Sequence, residues 1–202
     1  MGIVQRKERQ RAELREQILA AARKLVLSEG FEGLTMRKIA DAIEYSPATL
    51  YLYFENREAI GRQLCEEAFG HLLRYMGTAA QVADPLERLF AIGRGYAQYA
   101  LENPEEYRLI FMTDAAYMEQ VFAVKTDDDP GQRAFDVVVD AVRAAQAAGH
   151  IRPIDPTLVA EMLWTSTHGV VSLAITCKDV LESPLEELSE SLHAALLRGL
   201  AP

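Results

Sequence analysis

The chain has little of what a catalytic or metal-binding protein relies on. Among its 202 residues are two cysteines, four histidines and one tryptophan. Cys65 and Cys177 lie far apart within helical patterns, and neither has the close cysteine or histidine spacing of a zinc site. The histidines at 71, 150, 168 and 193 show no metal spacing, and no motif for a catalytic serine or cysteine is present. We therefore predict no enzyme, no metal and no cofactor, and we interpret both cysteines as reduced packing residues.

Long apolar runs are also lacking. The N-terminus is polar and basic from Arg6 to Arg15, with no apolar stretch behind it, which is unlike a signal peptide or a membrane anchor. No later segment has the sequence of a membrane span. We expect a cytoplasmic protein without a membrane partner, long enough for a small module and one larger core domain.

The net charge of −9 is distributed unevenly along the chain. Residues 1–60 hold ten Lys and Arg against nine Asp and Glu, so the acidic excess lies in residues 61–202. Residues 1–24 carry seven basic and three acidic side chains. This segment is either a solvated, frayed tail or an arm without fixed geometry that lies along phosphates through some of Arg6, Lys7, Arg9 and Arg11.

Residues 35–57 carry two short helix starts separated by a turn, which is typical of a helix-turn-helix. Thr35 is placed to cap a helix that carries Ile39 on its inner face. Ser46 is a second cap candidate, and Pro47 occupies a first-turn position at which proline loses no hydrogen bond. Leu50 and Phe54 are four residues apart and are expected to pack on Ile39 and Ile43.

The outer surface of the second helix has the residue types of a DNA-reading element. Ala48 is small enough to let the helix approach base edges, while Thr49, Tyr51 and Tyr53 can donate hydroxyl protons to phosphates. Arg37 can reach a phosphate or a guanine edge. The alternative is an ordinary helical hairpin in which Tyr51 and Tyr53 are half-buried packing residues.

This part of the sequence resembles the TetR family of bacterial transcriptional repressors. The resemblance covers roughly residues 12–65 and rests on Thr-x-Arg-x-Ile-Ala, then Ser-Pro-Ala-Thr-Leu-Tyr-x-Tyr-Phe, then Asn-Arg-Glu-Ala-Ile. Tyr53 replaces a common histidine, and Arg57 replaces a lysine that usually contacts phosphate. The resemblance implies a set of DNA contacts: Thr35, Arg37, Ser46, Ala48, Thr49, Tyr51, Leu52, Tyr53 and Arg57.

The pattern predicts an all-α fold of about nine or ten helices. A first helix carries Ile18, Ala22, Leu25 and Val26 and stops at Gly30. After the helix-turn-helix, breaks at Pro and Gly divide the chain into further helices at 56–77, 85–102, 104–113, 115–123, 131–149, 155–179 and 184–199, with an acidic loop at 127–129. We predict a DNA-binding domain at residues 1–57 and an effector-binding and dimerisation domain at 58–202.

The last two helices are the predicted homodimer interface. Five leucines form an apolar stripe on the final helix: Leu185, Leu188, Leu192, Leu196 and Leu200. A twofold partner can cover such a stripe in a four-helix bundle, although the stripe can also pack within its own subunit. Two recognition helices held about 34–36 Å apart can read a palindrome, which favours the dimer.

The later part of the chain is similar to a TetR subfamily marked by a tryptophan followed four residues later by His-Gly, here Trp164 and His168-Gly169, and by residues 103–111. In TetR-like proteins the effector cavity lies inside the core. The lining that this implies is Phe90, Tyr96, Tyr107, Phe111, Met112, Met118, Trp164 and His168. A plain packed core would contain the same residue types, and His168 is either a core residue or an effector contact.

The predicted function is a TetR-type regulator, most consistent with a repressor that binds operator DNA as a homodimer and is released by a small molecule of unknown identity. The alternative is a redox- or ligand-responsive helical sensor with weak DNA sequence specificity. A redox sensor would depend on Cys177, which needs a lowered thiol pKa, and Lys178 is its one basic neighbour in sequence.

Overall fold

The computed structural model describes residues 2–113, 129–177 and 180–202, and most of these residues are helical. Within the described residues, nine helices follow one another: α1 (Ile3–Glu29), α2 (Met36–Ala42), α3 (Pro47–Leu50), α4 (Arg57–Gly77), α5 (Pro85–Glu102), α6 (Pro104–Phe111), α7 (Pro130–Ala147), α8 (Pro156–Thr176) and α9 (Leu185–Leu200). The all-α prediction is confirmed, and the ends of α4 to α9 lie within about three residues of those predicted. The predicted piece at 115–123 and the acidic residues 127 and 128 lie outside the described residues.

Proline marks most of the helix starts. Five helices begin on a proline, and at α3, α5, α7 and α8 the residue before it is Ser46, Asp84, Asp129 or Asp155. Each of these side chains accepts a hydrogen bond from a backbone N–H of the first turn; Asp84 Oδ1, for example, accepts from Leu86 N at 2.8 Å. A first-turn proline has no N–H to satisfy, and the cap satisfies a neighbouring one. The helix starts that were predicted from proline and the residue before it are therefore confirmed by the capping hydrogen bonds.

The N-terminal segment differs from the prediction of an arm without fixed geometry. α1 already begins at Ile3, and its basic residues Arg6 to Arg11 are exposed on a regular helix. Residues with high helix propensity dominate this stretch, and Arg9 pairs with Glu13 one turn later at 3.5 Å. The helix ends as predicted at Gly30, whose φ of 73° lies in the left-handed region that favours glycine.

The contacts divide the described chain into two compact units. The first contains the chain up to Ala68 and the described residues from Glu105 onward in α6. Its core includes Ile18, Leu34 and Ile39, which are fully buried. Leu50 and Phe54 are also buried, as expected, whereas Ile43 at the end of α2 is only half-buried.

The second unit contains residues 69–104 and the described residues from Asp129 onward. In it, α5 packs against α7, α8 and α9, and α8 packs against α7 and α9. Tyr99, Val142, Val159 and Val171 are completely buried between these helices. This unit is a helical bundle with α5 and α8 as its central members.

α8 is more apolar than the sequence analysis led us to expect of any segment of this chain. Its 21 residues include an 18-residue window with a mean hydropathy of 1.3, so by length and composition the helix is apolar enough to cross a membrane. The expectation that no segment approaches a membrane span was therefore wrong. A core helix of a helical bundle has the same composition, and α8 packs on three helices of its own unit, so a single such helix is weak grounds for a span.

Candidate functional site

The helix-turn-helix is formed by α2 and α3. Thr35 caps α2 by accepting a hydrogen bond from Lys38 N at 3.1 Å. Ser46 caps α3 by accepting one from Thr49 N at 3.3 Å. Between the helices Glu44 has a φ of 59°, and Tyr45 N donates to Ala40 O at 2.9 Å, which closes the turn. Both caps and the turn lie where the sequence predicts them.

The surface of α3 and the turn after it exposes residues that would ordinarily avoid water. Leu52 is 73% exposed and Tyr51 is 57% exposed, and Ala48 and Tyr45 are exposed beside them. We call Ala48, Tyr51 and Leu52 the recognition face. Apolar side chains gathered on one exposed face mark an interaction surface. Tyr51 is thus not a half-buried packing residue.

Two further predicted contact residues keep their polar groups available. The side chain of Arg37 is 86% exposed, and its only described ion pair, with Asp41, is long at 4.0 Å. The Thr35 hydroxyl accepts a hydrogen bond as a cap, but its own proton can still be donated to a phosphate. Ser46 and Thr49 have less freedom, since their hydroxyl oxygens lie 3.0 Å apart and share a hydrogen bond.

Arg57 and Tyr53 have partners within the first unit. The Arg57 guanidinium donates to Leu34 O at 3.2 Å and to Glu58 at 2.9 Å, and it lies 4.8 Å from the centre of the Phe31 ring. Tyr53 is half-buried, and the Arg11 guanidinium lies 5.8 Å from its ring centre. These contacts give Arg57 a packing role that its sequence position did not suggest, while its contact with phosphate stays a prediction.

In the second unit, three of the predicted effector residues lie together. Tyr96 Oη and His168 Nδ1 form a hydrogen bond of 2.9 Å, and the rings of Trp164 and His168 are 5.6 Å apart. Phe135 adds an edge contact to Trp164. Burial lowers the pKa of His168 below its usual value, so the ring is held neutral near pH 7. Trp164 itself is exposed, which is unlike a residue enclosed in a core.

The remaining predicted effector residues are not part of this cluster. Tyr107 and Phe111 are in ring contact in the first unit, at 5.1 Å, and Met112 follows them after the end of α6. Phe90 lies against His193 in the second unit, with ring centres 6.2 Å apart. Met118 lies outside the described residues. No pocket lined by all eight is thus described, and their shared lining stays a prediction.

A polar cluster that was not predicted from the sequence lies between α5, α8 and α9. His193 is buried, and its Nε2 lies 2.6 Å from Thr167 Oγ1. Ser189, one turn earlier on α9, is buried as well. The available signal was spacing: Ser189 and His193 are four residues apart and share the inward face of α9 with Leu197.

The next residues to consider are the cysteines and the candidate metal ligands in the part of the chain that is described. No group of three or more His, Cys, Asp or Glu side chains there is placed to hold a metal ion. Cys65 is buried, but Cys177 is exposed at the end of α8, so its interpretation as a packing residue was wrong. Lys178, its basic neighbour in sequence, lies outside the described residues.

Comparison with known proteins fits this architecture. Residues 18–64 match the family described as bacterial regulatory proteins, tetR family, and residues 89–196 match the tetracyclin repressor-like C-terminal domain. The second match alone covers more than half of the chain. The chain belongs to the TetR family of transcriptional regulators.

One relative agrees with this assignment. An uncharacterized HTH-type transcriptional regulator of Haemophilus influenzae is 30% identical over 80 residues, which is 40% of this chain and 41% of that protein. The match thus spans less than half of that relative.

Two solved structures share the fold over nearly the whole chain. A protein of unknown function from Rhodococcus sp. RHA1 is 27% identical, with a TM-score of 0.75 over 94% of this chain and 96% of that one. The TetR family transcriptional regulator PfmR from Thermus thermophilus is 23% identical, with a TM-score of 0.67 over 92% of this chain and 99% of that one. At the identity of the second, the likeness concerns the fold alone.

Proposed function

We propose that the chain is a cytoplasmic repressor that binds a palindromic operator as a homodimer and has no enzymatic activity. The observation that carries this proposal is the recognition face, an exposed patch on a capped helix of a helix-turn-helix. A B-form major groove admits one helix, and Ala48 leaves room for the backbone to approach base edges. In this proposal Leu52 and the Tyr51 ring contact thymine methyl groups and sugar, and the Tyr51 hydroxyl donates to a phosphate.

Charge placement supports DNA as the partner. The exposed Arg6, Lys7, Arg9 and Arg11 lie on the first turns of α1, and Arg37 extends from α2 in the same unit. Phosphate contacts by such side chains release counterions, so the observed affinity falls with salt. The acidic excess lies in residues 61–202, later in the chain, so the first turns of α1 keep their local positive charge.

A homodimer through α8 and α9 is supported by side chains that their own unit leaves uncovered. On α9, Leu192 is exposed and Leu188 and Leu196 are half-buried, whereas Leu200 is buried within the chain. On α8, Leu173 is exposed, and no described atom lies within 4 Å of a Cβ placed at Gly169. A glycine with open space beside exposed leucines suits the close approach of a second helix, and a twofold axis then gives the two copies of α3 that a palindrome requires.

The operator is tested by selecting bound duplexes from random DNA with the purified protein and sequencing them. We expect an enriched palindrome that Tyr51→Ala and Thr49→Ala lose. Leu101→Ala serves as the control, because Leu101 is an exposed apolar residue of the second unit, remote in sequence from the helix-turn-helix. Uniform, salt-sensitive binding without enrichment would contradict sequence reading and favour the sensor with weak DNA specificity.

The dimer is tested separately by sedimentation. Leu192→Glu places a charge in the proposed interface and should yield monomers, while Leu101→Glu, the same change at another exposed leucine, should leave the dimer intact. A Leu192→Glu protein that sediments as the parent does would remove α9 from the interface.

The proposed regulation is release of the operator by a small molecule bound among the predicted effector residues. α4 starts at Arg57 and continues as one helix to Gly77, so a displacement of this helix would move the Arg57 contacts with Leu34 and Phe31. A shift from mostly bound to mostly released requires roughly 10⁴-fold preference for one state, about 5.5 kcal/mol. A molecule that binds the dimer and leaves operator affinity unchanged is not the effector.

A further inference from the structure

A cleft of about 650 Å³ opens between α5 and α9 in the second unit, next to the 3-10 turn at Thr78–Gln81. We call it the α5–α9 cleft. Its walls are mainly apolar, with Val82, Phe90, Leu101 and Leu185 among them. This volume is typical of small-molecule sites. Tyr96, Trp164 and His168 do not line it, so the cleft is separate from the cluster that they form.

A buried hydroxyl in this cleft lacks a partner. Ser189 is 8% exposed, and its Oγ forms no hydrogen bond with any described residue. Serine and threonine within helices commonly bond to the carbonyl of the preceding turn, as Thr165 and Ser172 do on α8. A buried hydroxyl left without a partner destabilises the folded state, because it loses the hydrogen bonds that water would provide. A ligand group that pairs with Ser189 would recover this free energy.

His193 adds a hydrogen-bond acceptor to the same cleft. Thr167 Oγ1 donates its single proton to Leu163 O, at 3.0 Å. His193 Nε2 lies 2.6 Å from Thr167 Oγ1 and 3.4 Å from Leu163 O. We assign the ring proton to Nε2, because with the Thr167 proton on Leu163 O both of these neighbours act as acceptors. Burial lowers the pKa of His193, which keeps the ring neutral. Nδ1 is then an unprotonated acceptor on the side of the ring that meets Gly93.

The charged side chains around the cleft are mostly acidic. Glu102, Glu186 and Glu190 line it, against a single Arg94. Arg94 is paired with Glu190 at 3.0 Å, while Glu186 is exposed on the first turn of α9. The remaining negative charge favours a cationic ligand over an anionic one.

We propose that the α5–α9 cleft binds a small amphipathic amine. Its aromatic or aliphatic body packs on Phe90 and Leu185, a hydroxyl on the ligand donates to His193 Nδ1 and accepts from Ser189 Oγ, and its ammonium group lies near Glu186. The inference goes beyond operator binding and rests on this cleft alone.

The acidic wall of the cleft lies away from Leu188 and Leu192 of the proposed homodimer interface. On α9, Glu186 and Glu190 project from one flank of the buried face, and Leu188 and Leu192 project from the opposite flank. A partner that covers the leucines therefore leaves the acidic flank accessible. Ligand binding and dimerisation can be measured independently.

The test uses propranolol, an aromatic amine with a hydroxyl group, titrated calorimetrically into the full-length protein. We expect saturable binding of one molecule per chain, and at least tenfold weaker binding of 1-naphthoxyacetate, which carries a similar ring system and a carboxylate. Ser189→Ala should weaken propranolol binding by about tenfold, as expected for one buried hydrogen bond. Ser191→Ala, an exposed position of the same helix outside the cleft, should leave it unchanged.

Two variants that each remove one negative charge provide a second readout, which does not depend on a buried residue. Glu186→Gln should weaken propranolol binding about threefold, whereas Glu187→Gln, with the same loss of net charge outside the cleft, should not. The proposal is overturned if propranolol does not bind saturably, if 1-naphthoxyacetate binds as tightly, or if each variant binds like its control. Operator selection does not enter this test, so failure of one proposal is distinguishable from failure of the other.

Discussion

Three glycines of the second unit allow its packing to be tested through the sign of a stability change. A Cβ added at Gly95 on α5 would lie 2.6 Å from Tyr75 O, a backbone atom at the end of α4. A Cβ added at Gly93 would lie 2.5 Å from Cε1 of the His193 side chain. At Gly70 on α4, no described atom other than the neighbouring chain of α4 itself lies within 4 Å of the added carbon. The methyl group of alanine would therefore meet a backbone atom at Gly95, a side chain at Gly93 and open space at Gly70.

The expected magnitudes follow from these contacts. Alanine gains about 1 kcal/mol over glycine in a helix interior. Overpacking costs about 1–3 kcal/mol and occasionally more. The backbone at Tyr75 cannot rotate away, so Gly95→Ala should reduce the free energy of unfolding by about 2 kcal/mol. At Gly93 the His193 ring can turn but loses its bond to Thr167, and we expect a net loss of about 1 kcal/mol. Gly70→Ala should raise the free energy of unfolding by roughly 0.5–1 kcal/mol.

Urea unfolding followed by far-ultraviolet circular dichroism measures these changes, and unchanged slopes would show that the unfolded states are comparable. All variants must be compared at one protein concentration, because stability of a dimer depends on it. If Gly95→Ala proved as stable as Gly70→Ala, the close packing of α5 on the end of α4 would be refuted.

Three further outcomes are expected. Burial lowers the folded-state pKa of His193, and also that of His168, below the usual 6.5, so the unfolded chain binds protons first as the pH falls. The free energy of unfolding should therefore fall as pH drops below about 6.5, and His193→Gln should reduce that dependence without abolishing it in unfolding titrations. Arg57→Ala should lower the melting temperature by removing the bond to Leu34 O, with a loss of about 1–2 kcal/mol, and an unchanged melt would contradict the packing role. Tyr96→Phe should cost about 1 kcal/mol and shift the NMR signals of the His168 ring, whereas unaltered ring signals would argue against the hydrogen bond to Nδ1.

Capping residues and prolines predicted the helix starts well, because a start of this kind depends on only a few adjacent residues. Ser46 and Pro47, or Asp84 and Pro85, satisfy the first turn without help from distant parts of the chain. The prediction for the N-terminal segment was wrong because charge was weighted above these local signals. Its basic charge suggested an arm, but its helix propensity and the Arg9 to Glu13 spacing extend α1 to Ile3.

Residues whose role depends on distant partners were harder to predict. Arg57 was predicted to contact phosphate, and the structure adds that its guanidinium packs on Phe31 and donates a hydrogen bond to Leu34 O, 23 residues earlier. The cluster of Thr167 and His193 joins residues 26 apart on different helices. Helical periodicity shows that such side chains face inward, but it does not reveal which side chains they meet.

The all-α class, the helix-turn-helix with its two caps, and the membership of the TetR family could be predicted from the sequence, because these depend on local capping, periodicity and contiguous motifs. The packing of the helices was needed to show that Ser189 and His193 face a cleft and that Tyr96 bonds to His168. Those features arise from the packing of helices far apart in the chain, where burial and the supply of hydrogen-bond partners are set by neighbours that no local pattern specifies.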